Sequence, residues 1–122
     1  MPNTLPSSPT SVVHRLSNAF DRHDPRLLQD LLADDCVLYT TNPAPLGGEV
    51  RGGLNCRAHW GALMAEESIR FDIEDEIADG ETVVQRWRCT DASGTVVQRG
   101  VNIFTVSDGL ITSAHGYVKA GR

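Results

Sequence analysis

The sequence predicts an α+β fold in which helices come first and a mixed, mostly antiparallel sheet follows. Apolar residues recur at helical spacing up to about residue 67, whereas from residue 69 onwards they alternate with polar residues. Turn-forming residues join the alternating segments: Asp79-Gly80, Ala92-Ser93-Gly94 and Asp108-Gly109. Helices followed by hairpin-linked strands are typical of the α+β class.

Three helices are predicted before residue 69. Ser8-Pro9 is a capping residue followed by proline, and the first helix should extend to about Arg22 on an apolar stripe of Val12, Val13, Leu16, Ala19 and Phe20. Asp24-Pro25 repeats the start signal and predicts a shorter second helix carrying Leu27, Leu28, Leu31 and Leu32. A third helix is expected from near Leu54 to Glu67, with Cys56, Trp60, Leu63 and Met64 on one side.

Five strands are predicted. A short strand, CVLYTT, follows the second helix, and a loop rich in proline and glycine, NPAPLGGEVRGG, leads to the third helix. The remaining strands are IRFDIEDEIA, TVVQRWRCT, TVVQRGVNIFTV and LITSAHGYV.

The turns and the alternation together predict which side chains share a face of the sheet. A two-residue loop at Asp108-Gly109 would place Asn102 directly opposite His115, and the preceding turn puts Val83, Gln85 and Trp87 on the same face. In the first hairpin, Ala78 is expected opposite Thr82 and Asp75 opposite Gln85. That register pairs Glu74 with Arg86 and Asp72 with Arg88 on the outer face.

The face that should pack on the helices would therefore hold an unusual polar set: Asp75, Gln85, Asn102, His115 and Tyr117. Burying a carboxylate costs on the order of several kcal/mol in lost hydration, unless the carboxylate is paired and hydrogen-bonded. Either these residues satisfy one another in a filled interior, or they line a pocket.

Composition narrows the classes of function. The chain has 122 residues and a net charge of −5, which argues against a nucleic-acid-binding surface. No apolar run is long enough to cross a membrane, and no signal peptide is recognisable, so a cytoplasmic location is expected. The three cysteines form no metal or redox motif and are interpreted as reduced and buried. Residues 1–8 are predicted to be a flexible tail, and residues 9–122 a single domain.

Several stretches resemble the SnoaL-like branch of the nuclear transport factor 2-like superfamily. They are NAFDRHDPRLLQDLLADDCVLY, GGEVRGGLNCRAHWGALM, VVQRWRCT and NIFTVSDGLITSAHGYV, and the match covers about residues 11–119. The resemblance implies a cone-shaped fold, with three N-terminal helices packed on a strongly curved sheet around a cavity. It also implies frequent homodimers formed through the outer sheet face. Members include polyketide cyclases, isomerases, dehydratases, epoxide hydrolases and catalytically silent binding domains, so the fold does not fix the function.

Only part of the family's chemistry carries over to this chain. In the steroid isomerase branch, the basic aspartate corresponds to Thr40, the oxyanion tyrosine to Leu16 and the oxyanion aspartate to Asn102. The last strand lacks the acid of the cyclase branch, and His115 is the nearest candidate for its role.

These patterns lead to a candidate site. His115 is expected to act as general base, Asp75 to orient its ring and Asn102 to hold a substrate oxygen. The residues expected to contact the ligand are Tyr39, Trp60, Gln85, Trp87, Phe104 and Tyr117. Neither a metal nor a cofactor is expected. The leading hypothesis is a small homodimer that binds an apolar, oxygen-bearing molecule and performs cyclisation, isomerisation or dehydration. The alternatives are a non-catalytic ligand-binding module and a purely structural dimer.

Overall fold

Two α-helices and a six-stranded sheet form the structure, a computed structural model that describes residues 8–119. Helix α1 spans Pro9–Asp21, and the Ser8 hydroxyl caps it by accepting a hydrogen bond from Ser11 N at 3.2 Å. Helix α2 spans Gly53–Met64. The strands are β1 (Leu32–Thr40), β2 (Gly48–Arg51), β3 (Ile69–Asp79), β4 (Thr82–Asp91), β5 (Val96–Ser107) and β6 (Leu110–Val118). The predicted tail lies outside the described residues except for Ser8.

The strand order is β2-β1-β6-β5-β4-β3. Only the β1–β6 pair is parallel, so the predicted mixed, mostly antiparallel sheet is confirmed. The four long strands begin and end within one or two residues of their predicted bounds. β2 was missed, because four residues flanked by glycines carry too little alternation to indicate a strand.

The prediction of three helices is wrong, because the second is a single 3-10 turn, Pro25–Leu28. Asp24 caps this turn as expected, with its Oδ1 accepting from Arg26 N at 3.1 Å. The chain then leaves helical geometry at Gln29 and takes a positive φ of 70° at Asp30. The Leu31 carbonyl accepts a hydrogen bond from Ile111 N on β6 at 2.8 Å. Leu31 is therefore bonded to the sheet and Leu32 begins β1, although both were predicted to be helical.

The hydrophobic core lies between the helices and one face of the sheet, called the inner face here. From α1 and α2 it takes Val12, Val13, Leu16, Ala19, Cys56, Trp60 and Met64. From the sheet it takes chiefly Leu38, Val83, Phe104, Val106, Ile111 and Ala114. The opposite face of the sheet is called the outer face.

Candidate functional site

Gln85 and Asn102 are the polar centre of the inner face. They lie directly opposite each other on β4 and β5, and Val83 and Trp87 share their face, so this part of the predicted register is confirmed. Gln85 is 3% exposed and is one of two buried polar residues in the described chain. Opposed positions of adjacent strands bring Cβ atoms within about 4.5–5.5 Å, so the two amides are neighbours.

His115 does not join them. The Asp108-Gly109 loop has two residues and Ser107 opposes Leu110 as predicted, but Val106 pairs with Ile111 whereas Thr105 pairs with Ser113. Thr112 is the extra residue of a β-bulge, and its hydroxyl donates to Thr105 O at 3.2 Å. Beyond the bulge, every β6 side chain lies on the face opposite to the predicted one.

The bulge places His115 and Tyr117 on the outer face, opposite Ile103 and Val101. The His115 ring stacks on the ring of Tyr39 from β1, with centroids 4.2 Å apart and planes inclined by 11°. Tyr39, His115 and Tyr117 border a shallow depression of about 340 Å³ on the outer side of the sheet. The predicted pairing of Asn102 with His115 in one interior site is therefore wrong, and Gly116 opposes Asn102 instead.

Asp75 is also displaced to the outer face. A bulge at Glu74 shifts the β3–β4 register, so Asp75 opposes Arg86 rather than Gln85. Asp75 Oδ1 accepts from Arg86 Nε at 2.8 Å, and the guanidinium lowers the pKa of the carboxyl. The predicted pairing of Glu74 with Arg86 is wrong, because Asp75 takes that position opposite Arg86. Glu74 Oε2 instead lies 3.4 Å from Arg99 Nη1. On the other side of the bulge, Asp72 opposes Arg88 as predicted.

The same bulge brings Glu76 to the inner face, opposite Gln85. Glu76 Oε1 accepts from Gln85 Nε2 at 2.9 Å, and Glu76 Oε2 lies 2.8 Å from His14 Nε2 on α1. Gln85 Nε2 also donates to the Ser17 hydroxyl at 3.2 Å. A short polar chain thus runs from the surface of α1 to the centre of the inner face.

A cavity of about 650 Å³ lies between this face and the helices. Its apolar wall consists of Leu16, Phe20, Leu38, Trp60, Leu63, Phe71, Trp87 and Phe104. The aromatic rings contact one another edge to face, with Phe20–Phe71 centroids at 5.5 Å and Phe71–Trp87 centroids at 5.4 Å. Of the expected ligand contacts, Trp60, Gln85, Trp87 and Phe104 line this cavity. Tyr39 borders both it and the outer depression, and Tyr117 borders only the depression.

The Asn102 amide and the Trp87 indole nitrogen have no hydrogen-bond partner within residues 8–119. In the described part of the chain, no hydrogen bond involves the Asn102 side chain, whose Oδ1 lies beside Gly116, 3.3 Å from the position a Cβ would take there. The indole nitrogen of Trp87, a residue 7% exposed, is buried without an acceptor. The Asn102 amide can therefore offer N–H donors to an oxygen-bearing ligand in the cavity.

Comparisons with known proteins agree with this architecture. Residues 13–114 match the family described as the SnoaL-like domain. This chain belongs to the SnoaL-like family. It is similar to an NTF2-like protein of unknown function from Mesorhizobium loti, with 36% identity over 98% of both chains and a TM-score of 0.86.

Two more distant structures share the SnoaL-like fold. A provisionally assigned polyketide cyclase from Sinorhizobium meliloti is 18% identical over 87% of this chain and 93% of that one, with a TM-score of 0.71. A provisionally assigned isomerase of the SnoaL-like family from Agrobacterium tumefaciens is 14% identical over 91% and 97%, with a TM-score of 0.74. No curated protein gives a significant match. None of the helices within residues 8–119 has the length and hydropathy to span a membrane.

The sequence interpretation of this SnoaL-like protein missed His59, the one histidine among the described residues that lines the large cavity. A signal was present, because His59 lies three residues after Cys56 and four before Leu63, at the edge of the buried stripe of α2. Leu16 and Thr40, which the resemblance aligns with the isomerase tyrosine and aspartate, both line the cavity. The Thr40 hydroxyl donates to Asn42 O at 2.7 Å.

Proposed function

We propose that the cavity of this SnoaL-like protein binds a small, mostly apolar molecule that carries a carbonyl oxygen. The observation that carries the proposal is the Asn102 amide, which has no hydrogen bond within residues 8–119 and shares its wall with many aromatic and aliphatic side chains. The volume of about 650 Å³ lies within the usual range of small-molecule sites, roughly 300–1,000 Å³. The Asn102 amide would donate to the ligand oxygen while the rings cover its apolar surface.

We further propose cofactor-free acid–base chemistry, with His59 in the role first assigned to His115. A neutral imidazole nitrogen of His59 would take a proton from the carbon next to the ligand carbonyl. The C–H electron pair would form a carbon–carbon double bond, and the carbonyl π electrons would move to the oxygen held by Asn102. The resulting enolate is the common starting point for cyclisation, isomerisation and dehydration.

Exchange of carbon-bound protons tests this step. Deoxybenzoin has acidic protons beside its carbonyl, and their replacement in D₂O can be followed by proton NMR. The protein should accelerate the exchange, and His59→Gln should slow the catalysed rate at least about 100-fold, the usual minimum for a general base. Binding, measured by quenching of the two tryptophans that line the cavity, should persist in this variant.

His115→Gln is the matched control, since His115 stacks on Tyr39 on the other face of the sheet. It should change the exchange rate by less than about twofold, as expected for a surface substitution away from the site. A loss of exchange in His115→Gln with full activity in His59→Gln would reject the assignment.

A non-catalytic ligand-binding module is the second candidate. The two carboxylates on the cavity wall, Asp21 and Asp72, favour a non-catalytic module, because neither is placed to act as a base beside Gln85 and Asn102. Asp21 is exposed, and Asp72 lies 3.3 Å from Arg70 Nε and 3.7 Å from Arg88 Nε. Tight binding of deoxybenzoin with no acceleration of proton exchange would support this candidate over catalysis.

We also propose a cytoplasmic homodimer joined through the outer sheet face. That face presents the exposed apolar side chains of Ile77 and Tyr117, together with the Asp75–Arg86 ion pair. The buried free cysteines are compatible with a reducing compartment. Sedimentation velocity should give a dimer for the wild type, and Tyr117→Lys should shift it towards monomer; a monomeric wild type would reject the proposal.

A further inference from the structure

The orientation of the Gln85 amide is fixed by its two neighbours. Glu76 Oε1 lies 2.9 Å from Gln85 Nε2, and a carboxylate oxygen can only accept a hydrogen bond. The Ser17 hydroxyl uses its single proton on Val13 O at 3.2 Å, so towards Gln85 it can also only accept. Both neighbours therefore require the nitrogen of the amide, and both of its N–H bonds are used.

The carbonyl oxygen of Gln85 is the group left over. No hydrogen bond from residues 8–119 reaches Oε1, although the residue is 3% exposed and lines the cavity. Directly opposite, the Asn102 amide keeps both of its N–H donors. The floor of the cavity thus combines an acceptor from β4 with a donor from β5, about one strand spacing apart.

We propose that Glu76 is a specificity-determining positioning residue that holds Gln85 as an acceptor. The ligand class that fits is a hydroxy ketone: its hydroxyl donates to Gln85 Oε1, and its carbonyl accepts from Asn102 Nδ2. This inference rests on the proposed binding function and adds one requirement: the ligand must carry a hydrogen-bond donor for Gln85 Oε1. The bulge at Glu74 carries the effect, because without it Glu76 would not oppose Gln85. His14 supports the carboxylate from α1 through its other oxygen, at 2.8 Å.

A matched pair of probes tests the requirement. Benzoin carries a hydroxyl beside its carbonyl, and benzoin methyl ether carries the same skeleton without the donor. Dissociation constants come from quenching of Trp60 and Trp87, which both line the cavity. The wild type should bind benzoin about tenfold more tightly than the ether, the value of one hydrogen bond.

Glu76→Gln removes the constraint, because an amide at position 76 can either donate or accept and Gln85 can then turn over. The preference for benzoin should fall to about threefold or less, whereas Glu74→Gln, on the same strand but paired with Arg99, should keep it. A steric penalty from the ether methyl would persist in Glu76→Gln, so it is distinguished from lost hydrogen bonding.

Gln85→Met provides a second variant of similar shape with no carbonyl, and it too should abolish the preference. Equal affinity of the wild type for both probes would overturn the role of Glu76 and leave the binding function standing. Failure of benzoin, its ether and deoxybenzoin all to bind would overturn the binding function itself, and the inference with it.

Discussion

Replacing Gly100 by alanine tests how closely the cavity wall is packed. Gly100 opposes Trp87, and a Cβ added there would lie 2.4 Å from Trp87 Cζ2 and 2.4 Å from the Tyr117 carbonyl oxygen. Non-bonded carbon atoms normally stay about 3.5–4.0 Å apart, so the indole must move by about 1 Å or more. The carbonyl belongs to the backbone of β6, which cannot yield by a rotamer change.

The structure sets the expected size of the effect. Overpacking of this kind costs about 1–3 kcal/mol, and a backbone contact places the cost at the upper end. Alanine also lowers the conformational entropy of the unfolded chain relative to glycine, which offsets about 0.4–1 kcal/mol of this cost. The net loss in the free energy of unfolding should therefore be about 2 kcal/mol.

Urea unfolding followed by tryptophan fluorescence measures this loss. With a slope of about 1–3 kcal/mol per M urea, the midpoint should fall by about 1 M. The native emission should also shift to longer wavelength as the Trp87 ring moves. Gly61→Ala in α2 is the control, because its Cβ would lie 3.4 Å from Pro25 Cβ and alanine favours the helix by about 0.5–1 kcal/mol. A Gly100→Ala protein with wild-type midpoint and emission would refute the reasoning.

Three further predictions concern the cavity wall at Asn102, the reactivity of the Cys36 thiol and the stability of the fold at acidic pH. Gly116→Ala should weaken benzoin binding severalfold with little loss of stability, because its Cβ would press on Asn102 Oδ1 at 3.3 Å; titration of the variant checks this. Burial raises the pKa of the Cys36 thiol to about 12, so this thiol should resist iodoacetamide at pH 8 in native protein and react only in urea, as mass spectrometry can show. Hydrogen bonds from Ser93 and Thr95 lower the pKa of Asp91 below its usual 3.8, so its contribution is complete above about pH 4 and lost as the pH falls through the folded pKa. The stability difference between wild type and Asp91→Ala should therefore shrink below pH 4; a difference that stays constant would contradict the assignment.

The alternation of apolar residues was sufficient to predict the four long strands of the sheet. It also decided the register of the first hairpin, whereas the turn type decided the other two, but alternation assumes an unbroken period of two. Glu74 and Thr112 each add one residue to a strand, and the residues that follow each of them in its strand lie on the face opposite to the predicted one. His115 and Asp75 were misplaced for this reason alone.

Other errors arose where distant parts of the chain decide the local structure. Leu31 and Leu32 follow a sound helix start, yet the hydrogen bond from Ile111 draws them towards the sheet. His59 was overlooked because the interior polar groups were sought on strands, although helix spacing places it at the edge of the buried side of α2, where it lines the cavity. The amides of Gln85 and Asn102 were placed opposite each other correctly, although the register shifts between Cys89 and Thr90, nearer the turn.

The bulges at Glu74 and Thr112 also indicate how proteins with this fold acquire cavities of different size. A bulge bends its strand and increases the local twist, so the sheet curves more strongly around the helices. Removing Thr112 would keep the pairing of Thr105 with Ser113 and every wall residue beyond it, while straightening the strand. Gain or loss of a single residue within a strand therefore resizes the chamber for a new ligand without altering one side chain that touches it, a route open to evolution and to protein engineering alike.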